Sequence, residues 1–266
     1  MLQGIRDDRM AGPPNGHERE SRGNTRADRL HEEEHLLPAN LQPSVERFAR
    51  SLQVPSRLIQ LHPRKQGNPG NFAALAPAVT LGVISAFEGF AEDFLATALY
   101  ARGSSLGQIA AKVSMNNPTV AVFRDKLIGE FNGISSKIGV GFAVDVWDPP
   151  PVGKSWWRQV QIPWADAVSQ ADGWMQVRHC LTHGLASGWR TEHWPGPLKG
   201  KATASSVLRR MPSGTHSLAL HGAITCARIY VTCAAHLANL AASEVAEKLD
   251  WSQVPEFPLL DVKPAS

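Results

Sequence analysis

Apolar residues between positions 81 and 98 recur every three or four residues, and this spacing constrains the fold more than any other feature. They are Leu81, Ile84, Phe87, Ala91, Phe94 and Ala98. Because an α-helix has about 3.6 residues per turn, the spacing places these side chains on one helix face. Gly103 follows as a typical helix terminator. The segment therefore predicts one long helix whose apolar face needs packing partners.

Helical patterns recur through the rest of the chain, without sequence repeats or long strand-like alternation. They cover 105–114, 118–131, 166–183 and a last long segment from Ser217 onward. For the second of these, Asn117 is a candidate cap before Pro118 at the first helical position. We therefore predict an all-α fold, an up-and-down helical bundle.

Two segments interrupt this helical pattern. Residues 133–164 and 185–216 are rich in Gly, Pro and Trp. Such composition is typical of loops. We expect a short strand in the first segment and a short hairpin in the second, both as insertions into the bundle.

Four regions are predicted along the chain. Residues 1–40 are charged and have almost no apolar periodicity, so we expect a disordered or weakly helical extension. Residues 41–70 contain an amphipathic segment and a Pro/Gly-rich linker. The helical domain is predicted for 71–250, and 251–266 form a C-terminal tail.

Composition indicates a soluble cytoplasmic protein. The three cysteines have no short spacing, which argues against a disulfide framework or a cysteine zinc cluster and fits a reducing compartment. The N-terminal residues lack the basic head and apolar run of a secretory signal. The most apolar window, 72–87, contains Pro77 and ends at Glu88. It is shorter than the roughly 20 residues of a membrane-spanning helix.

The segment RHCLTHG concentrates basic side chains immediately before a glycine. Arg178, His179 and His183 lie within six residues, followed by Gly184. In a helix, the two histidines share a face, whereas Arg178 and His183 are separated by about 140° and about 7.5 Å along the axis. A cleft that both residues reach therefore has to straddle the helix end.

Three interpretations of this motif remain open from the residues alone. The histidines could be ordinary surface or core residues, with Arg178 paired to Glu88 or Glu92. They could bind a metal, with Glu88, Glu92 or Asp172 completing the site. They could also cleave RNA without a metal, since imidazole suits proton transfer and guanidinium suits a phosphorane charge. Residues 151–228 contain nine Lys or Arg against three Asp or Glu, a net charge of +6 that favours a polyanionic partner.

The segment from Arg178 to Gly184 resembles the R-x(4–6)-H signature of HEPN domains, in which a polar residue commonly follows the Arg. LGVISAFEGFAEDFLATAL resembles the first long helix of the RiboL-PSP-HEPN branch, where an acidic residue such as Glu88 interrupts an apolar run. NPTVAVFRDKLIGEFNGI resembles the short helices that follow, and SLALHGAITCARIYVTCAAHLANLA resembles the closing helix. The resemblance covers roughly 71–250, with the Trp/Pro-rich stretches 145–165 and 187–200 as insertions.

This resemblance implies a HEPN-like helical bundle that forms a homodimer, with the active site at the dimer cleft. Active members are metal-independent endoribonucleases of toxin–antitoxin and phage-defence systems, so an antitoxin or another defence protein is an expected partner, and no cofactor is expected. His183 would be the general acid or base and Arg178 would bind the scissile phosphate. His179 would orient this pair or contact RNA, and Glu88 and Thr182 would support the site. The alternative is a non-catalytic HEPN-like module for dimerisation and for binding nucleic acid or protein.

A second group of candidates lies outside the motif. Trp156 and Trp157 are flanked by Lys154 and Arg158, a composition found in proteins that bind single-stranded nucleic acids. A Trp in a Pro-rich loop is alternatively a plug that anchors the loop to the core. The predicted nucleic-acid-binding residues are Lys154, Trp157, Arg158, Arg209 and Arg210.

Overall fold

The computed structural model describes residues 40–61, 74–115, 118–197 and 202–259. Its helices are α1 (Gln42–Ser51), α2 (Gln53–Gln60), α3 (Leu75–Ala101), α4 (Leu106–Val113), α5 (Val120–Glu130), α6 (Trp164–Thr182) and α7 (Leu220–Glu244). Its strands are β1 (Val144–Asp148), β2 (Arg158–Ile162), β3 (Arg209–Arg210) and β4 (His216–Ser217). All but the last residue of the predicted extension 1–40, most of the linker and the end of the tail lie outside the described residues.

The described part is mainly helical, which confirms the predicted fold class at this level. Helix α3 contains the predicted apolar face and ends at Ala101, shortly before Gly103, whose φ is +78°. It packs against α1, α2, α6 and α7. Its Phe87 ring contacts Phe123 of α5 and Tyr230 of α7, with ring centroids 6.0 and 5.0 Å apart. The central helix therefore gathers the other helices around one aromatic core.

Helices α1 and α2 precede residue 71, where the helical domain is predicted to begin, yet they belong to the same core. Val45 and Phe48 of α1 and Ile59 of α2 are buried in it. The Glu247 carboxylate accepts hydrogen bonds from the backbone amide of Leu41 over 2.8 and 3.0 Å. Because the first amides of a helix have no partner within it, this carboxylate stabilises the start of α1 from the other end of the domain.

Several predicted helix boundaries shift in the structure. Thr119, rather than Asn117, caps α5, because its hydroxyl accepts a hydrogen bond from the Val122 amide. Pro118 precedes this cap instead of occupying the first helical position, and Asn117 lies outside the described residues. Helix α7, predicted from Ser217 onward, begins at Leu220 and ends at Glu244.

Short antiparallel sheets lie in or at the edge of the two segments, 133–164 and 185–216, that interrupt the helical pattern. Strand β1 pairs with β2, with Val144 opposite Ile162, and β3 pairs with β4. The first hairpin is fixed to α7 because the Thr225 hydroxyl bonds both the amide and the carbonyl of Trp147. The hairpin expected in the second segment is therefore present, whereas the first segment contains two paired strands where one short strand was expected.

Helix α3 is longer than the apolar window 72–87, whose short length argued against a membrane-spanning helix. It has 27 residues and, by length and composition alone, is long and apolar enough to cross a membrane. Pro77 lies within its first turn, where the missing amide proton costs no intrahelical hydrogen bond. The helix packs in the core, as described, and half of its most apolar window is buried.

Candidate functional site

Helix α6 positions the Arg–His motif. Its buried face includes Ala167, Ala171, Trp174 and Val177, at helical spacing, and packs toward α3 and α7. The Tyr230 hydroxyl of α7 donates a buried 2.9 Å hydrogen bond to the Ala171 carbonyl, which fixes α6 to the core. The motif thus occupies the last turns of a helix whose position is set by its apolar face.

The helix ends at the motif itself. His183 is the C-terminal cap, and its amide still donates to the His179 carbonyl over 3.1 Å. Gly184 then takes the left-handed conformation, with φ +65°, and the Leu185 amide returns to the Cys180 carbonyl over 2.9 Å. This glycine-ended turn closes the helix and leaves His183 exposed.

Arg178 is bound to the central helix. Its Nη2 donates to Oε2 of Glu88 over 3.0 Å, and the two side chains are only 21% and 16% exposed. Burial raises the pKa of Glu88, Arg178 opposes that rise and Glu92 adds to it. The other carboxylate oxygen of Glu88, Oε1, is buried and has no hydrogen-bond partner in the described part of the chain. The structure therefore contains the expected contact between Glu88 and Arg178.

His179 and His183 contact each other directly. Their ring centroids are 4.3 Å apart with an angle of 44° between the ring planes. His179 is half-buried, whereas His183 is exposed at the helix end. An imidazole that contacts a second imidazole and faces solvent is suited to exchanging protons with a bound molecule.

Thr182 and Cys180 of the motif have local roles. The Thr182 hydroxyl donates to the Arg178 carbonyl over 2.6 Å, so it bonds back to the preceding turn. Cys180 is completely buried on the opposite side, and burial raises the pKa of its thiol. The cysteine is therefore a packing residue.

The ligands suggested for a metal site do not come together. Among the described residues, no group of three or more His, Cys, Asp or Glu side chains is placed to hold a metal ion. Asp172 instead lines a pocket of about 480 Å³ with Ser169 and Thr203. Burial raises the pKa of Asp172, and the nearby Arg124 opposes that rise.

The structure separates the roles of the two adjacent tryptophans. Trp157 stacks on His221 of α7, with centroids 5.1 Å apart and planes within 9° of parallel. Trp147 contacts the same imidazole edge-on at 5.3 Å. Trp157, predicted to bind nucleic acid, therefore anchors its loop to α7. Trp156 is the exposed member of the pair, with 58% of its surface accessible.

The four predicted basic residues lie on the two hairpin segments. Arg158 pairs with Asp148 on the facing strand over 2.6 Å. Nη2 of Arg209 donates to the Lys154 carbonyl over 2.7 Å, which brings the two segments together. Arg210 lies beside His216 in the β3–β4 pair.

The sequence prediction selected Trp157 rather than Trp156 as the nucleic-acid-binding tryptophan, and it missed Trp189 as an exposed aromatic residue. Trp189 is 54% exposed, and the Arg190 guanidinium lies 4.9 Å from its ring centroid. A signal was present, since each of these tryptophans has a basic residue within two positions. The sequence does not determine which of the two adjacent tryptophans, Trp156 or Trp157, faces the core.

No family model, curated protein or solved structure matches this chain. The geometry at the end of α6 is therefore interpreted from its own chemistry. It combines a positioned guanidinium, two imidazoles in contact and an exposed helix end. Such a set can transfer protons near neutral pH and stabilise a negative charge that develops in a transition state.

Proposed function

We propose that this chain is a metal-independent endoribonuclease of HEPN type. The observation that carries the proposal is the end of α6, where Arg178 is held by Glu88 and the exposed His183 lies against His179. HEPN-type catalysis requires a fixed cation and a nearby imidazole on one helix end. The HEPN-like bundle, the homodimer and a cytoplasmic role in a toxin–antitoxin or phage-defence system belong to the same proposal.

The proposed reaction needs one base, one acid and one cation. A neutral imidazole removes the proton of the 2′-hydroxyl, and the oxygen attacks the adjacent phosphorus. Arg178 stabilises the negative charge of the phosphorane. A protonated imidazole then donates a proton to the departing 5′-oxygen, which leaves a 2′,3′-cyclic phosphate and a 5′-hydroxyl. In a dimer, the second motif supplies the second imidazole, with His183 as the reacting residue and His179 as its support.

The Glu88 ion pair supports this role because a positioned cation is more effective than a mobile one. Holding Arg178 in one orientation before RNA binds avoids the entropy cost of ordering its long side chain in the transition state. The partly buried environment also strengthens the interaction of the guanidinium with a phosphate. Thr182 supports the last helical turn through its bond to the Arg178 carbonyl.

The test is cleavage of an end-labelled RNA by purified protein in the presence of EDTA. We expect cleavage with cyclic-phosphate ends, and its loss in Arg178→Ala and His183→Ala variants whose circular dichroism is unchanged. Arg50→Ala is a matched control, because Arg50 is an exposed arginine on α1. Cleavage that survives both motif substitutions, or that requires a divalent metal, would overturn the proposal.

One observation favours the second candidate, a non-catalytic module for dimerisation and for binding nucleic acid or protein. Arg178 and Glu88 are both mostly buried, and a paired arginine of this kind is also a common structural link between helices. If wild-type protein binds RNA without cleaving it under any metal condition, and Arg178→Ala only destabilises the fold, this candidate replaces the first.

A further inference from the structure

Two exposed tryptophans in the insertions each carry a cation over the ring. Nζ of Lys154 lies 5.4 Å from the ring centroid of Trp156, and the guanidinium of Arg190 lies 4.9 Å from that of Trp189. More than half of each tryptophan surface is accessible to solvent. Exposed indoles of this size are unusual on a soluble surface, since burying a Trp is strongly favourable.

The two cation–aromatic pairs are connected through the β3–β4 hairpin. The amide of Glu192 donates to the His216 carbonyl over 3.1 Å, and the His216 amide donates back over 2.8 Å. His216 pairs with Arg210, and Arg209 bonds the Lys154 carbonyl. The loop that carries Trp189 is therefore attached to β4 of this small hairpin, and the loop that carries Trp156 is attached to β3.

The two tryptophan loops and the β3–β4 hairpin together carry an excess of positive charge. Burial lowers the pKa of His216, and the nearby charges of Arg210 and His193 lower it further. The two carboxylates of this region have protein partners. Asp148 pairs with Arg158, and Glu192 accepts hydrogen bonds from the Ser187 hydroxyl and the Gly188 amide. Asp148 thus offsets Arg158, whereas Lys154, Arg190, Arg209 and Arg210 outnumber the single negative charge of Glu192.

The loop that carries Trp189 also contacts the motif helix. It follows directly from the glycine-ended turn at Gly184, and Gly188 packs against the side chain of Leu181 in α6. The position of Trp189 is thus coupled to the helix end that carries His183.

We propose that Trp156 and Trp189, with Lys154, Arg190, Arg209 and Arg210, form a platform that binds single-stranded nucleic acid by base stacking. Unpaired bases stack on the indoles, and the Lys and Arg side chains contact the phosphates. A duplex does not fit this chemistry because its bases are already stacked on one another. The proposed function makes the natural ligand RNA, so this choice rests on that proposal, whereas the stacking itself also accepts unpaired DNA.

The experiment measures binding by fluorescence anisotropy with the full chain carrying His183→Ala, so that RNA is not consumed. The probes are labelled oligouridine, oligodeoxythymidine of equal length, and an RNA duplex of equal length. We expect both single strands to bind more tightly than the duplex. Trp156→Ala and Trp189→Ala each weaken binding about tenfold, since a stacked base contributes roughly 1–3 kcal/mol. Tyr100→Ala, an exposed aromatic residue at the end of α3, leaves it unchanged.

Each outcome decides the proposal. Tighter binding of oligouridine than of oligodeoxythymidine, with the same sensitivity to both tryptophans, supports the platform and identifies RNA as its ligand. Equal binding of duplex and single strands, or no effect of either tryptophan, would show a purely electrostatic surface and overturn it. Absence of binding to all three probes also overturns it. Because binding is measured in a protein without His183, failure of the ribonuclease proposal leaves this result interpretable.

Discussion

Glu88 of the central helix and Arg178 of the motif helix form an ion pair of 3.0 Å, although burial raises the pKa of the carboxyl group. The raised pKa means that the charged carboxylate is less favourable here than in the unfolded chain, even with Arg178 beside it. The mostly buried guanidinium, by contrast, needs an acceptor for its N–H groups. In this ion pair, Arg178 gains a hydrogen-bond acceptor, whereas the Glu88 carboxylate is buried unfavourably.

Glu88→Ala and Glu88→Gln are predicted to differ. Removing the acceptor in Glu88→Ala leaves Arg178 partly buried without its carboxylate and lowers the free energy of unfolding by about 1–3 kcal/mol. Glu88→Gln keeps an oxygen that accepts from Arg178 and avoids burying a carboxylate, so its loss is smaller. Urea denaturation at neutral pH measures both. Equal losses in the two variants would contradict this account.

The same pair distinguishes what the sequence could predict from what it could not. The helix periods around Phe87 and Trp174 follow from side-chain spacing, because one face of each helix must be buried. The sequence leaves Glu88 and Glu92, one turn apart, as candidate partners of Arg178. Only the packing of α6 on α3 selects Glu88. The two carboxylates share nearly the same face and lie about 6 Å apart along the axis, so the choice depends on where α6 crosses α3, which spacing along one chain does not determine.

The two glycines after the motif predict a graded response to alanine. Both have positive φ, +65° at Gly184 and +72° at Gly188, but only Gly188 is crowded. A Cβ at Gly188 would lie 2.8 Å from Leu181 Cδ2 and 3.0 Å from Pro77 Cγ, whereas a Cβ at Gly184 meets nothing within 4 Å. Gly184→Ala therefore costs about 1–2 kcal/mol from backbone strain alone.

Gly188→Ala adds overpacking to the same strain and costs about 2–4 kcal/mol. The matched control is Gly214→Ala, because Gly214 has φ +80° and open space around it. Thermal unfolding of the three variants gives the order. A Gly188→Ala variant as stable as Gly214→Ala would show that the loop carrying Trp189 does not pack on α6 as described.

His236 predicts a loss of stability in mild acid. Its Nε2 accepts a 3.0 Å hydrogen bond from the Gly139 amide, and it packs against Phe142 and Trp164. Burial lowers its pKa, so the folded state favours the neutral ring. The resulting stabilisation is fully present above the ordinary histidine pKa of about 6.5 and is lost as the pH falls through the lower folded value.

His236→Gln keeps an acceptor for the Gly139 amide and removes the titrating group. We expect the free energy of unfolding of this variant to fall less steeply than that of the wild type between neutral and mildly acidic pH. Some dependence remains because the pKa of His216 is lowered as well. Denaturant titrations at several pH values measure the slopes, and identical slopes would exclude a role for His236.

Alanine substitutions of the adjacent tryptophans Trp156 and Trp157 are predicted to have unequal effects on stability. Trp157 stacks on His221 and is partly buried, whereas Trp156 is exposed beneath Lys154. Trp157→Ala loses the stacked contact and buried aromatic area, which lowers the free energy of unfolding by about 1–3 kcal/mol. Trp156→Ala removes mainly solvent-exposed surface, so its effect stays within about 0.5 kcal/mol.

The comparison uses two indoles in one loop, so differences in local sequence and charge are minimal. Urea denaturation gives both values, and near-ultraviolet circular dichroism reports the loss of the Trp157 environment. A destabilised Trp156→Ala variant with a neutral Trp157→Ala would reverse the assignment of core and surface in this loop. The loop would then present Trp157, rather than Trp156, beside Lys154 and Arg209, because only the residue that does not anchor the loop is free to meet a ligand.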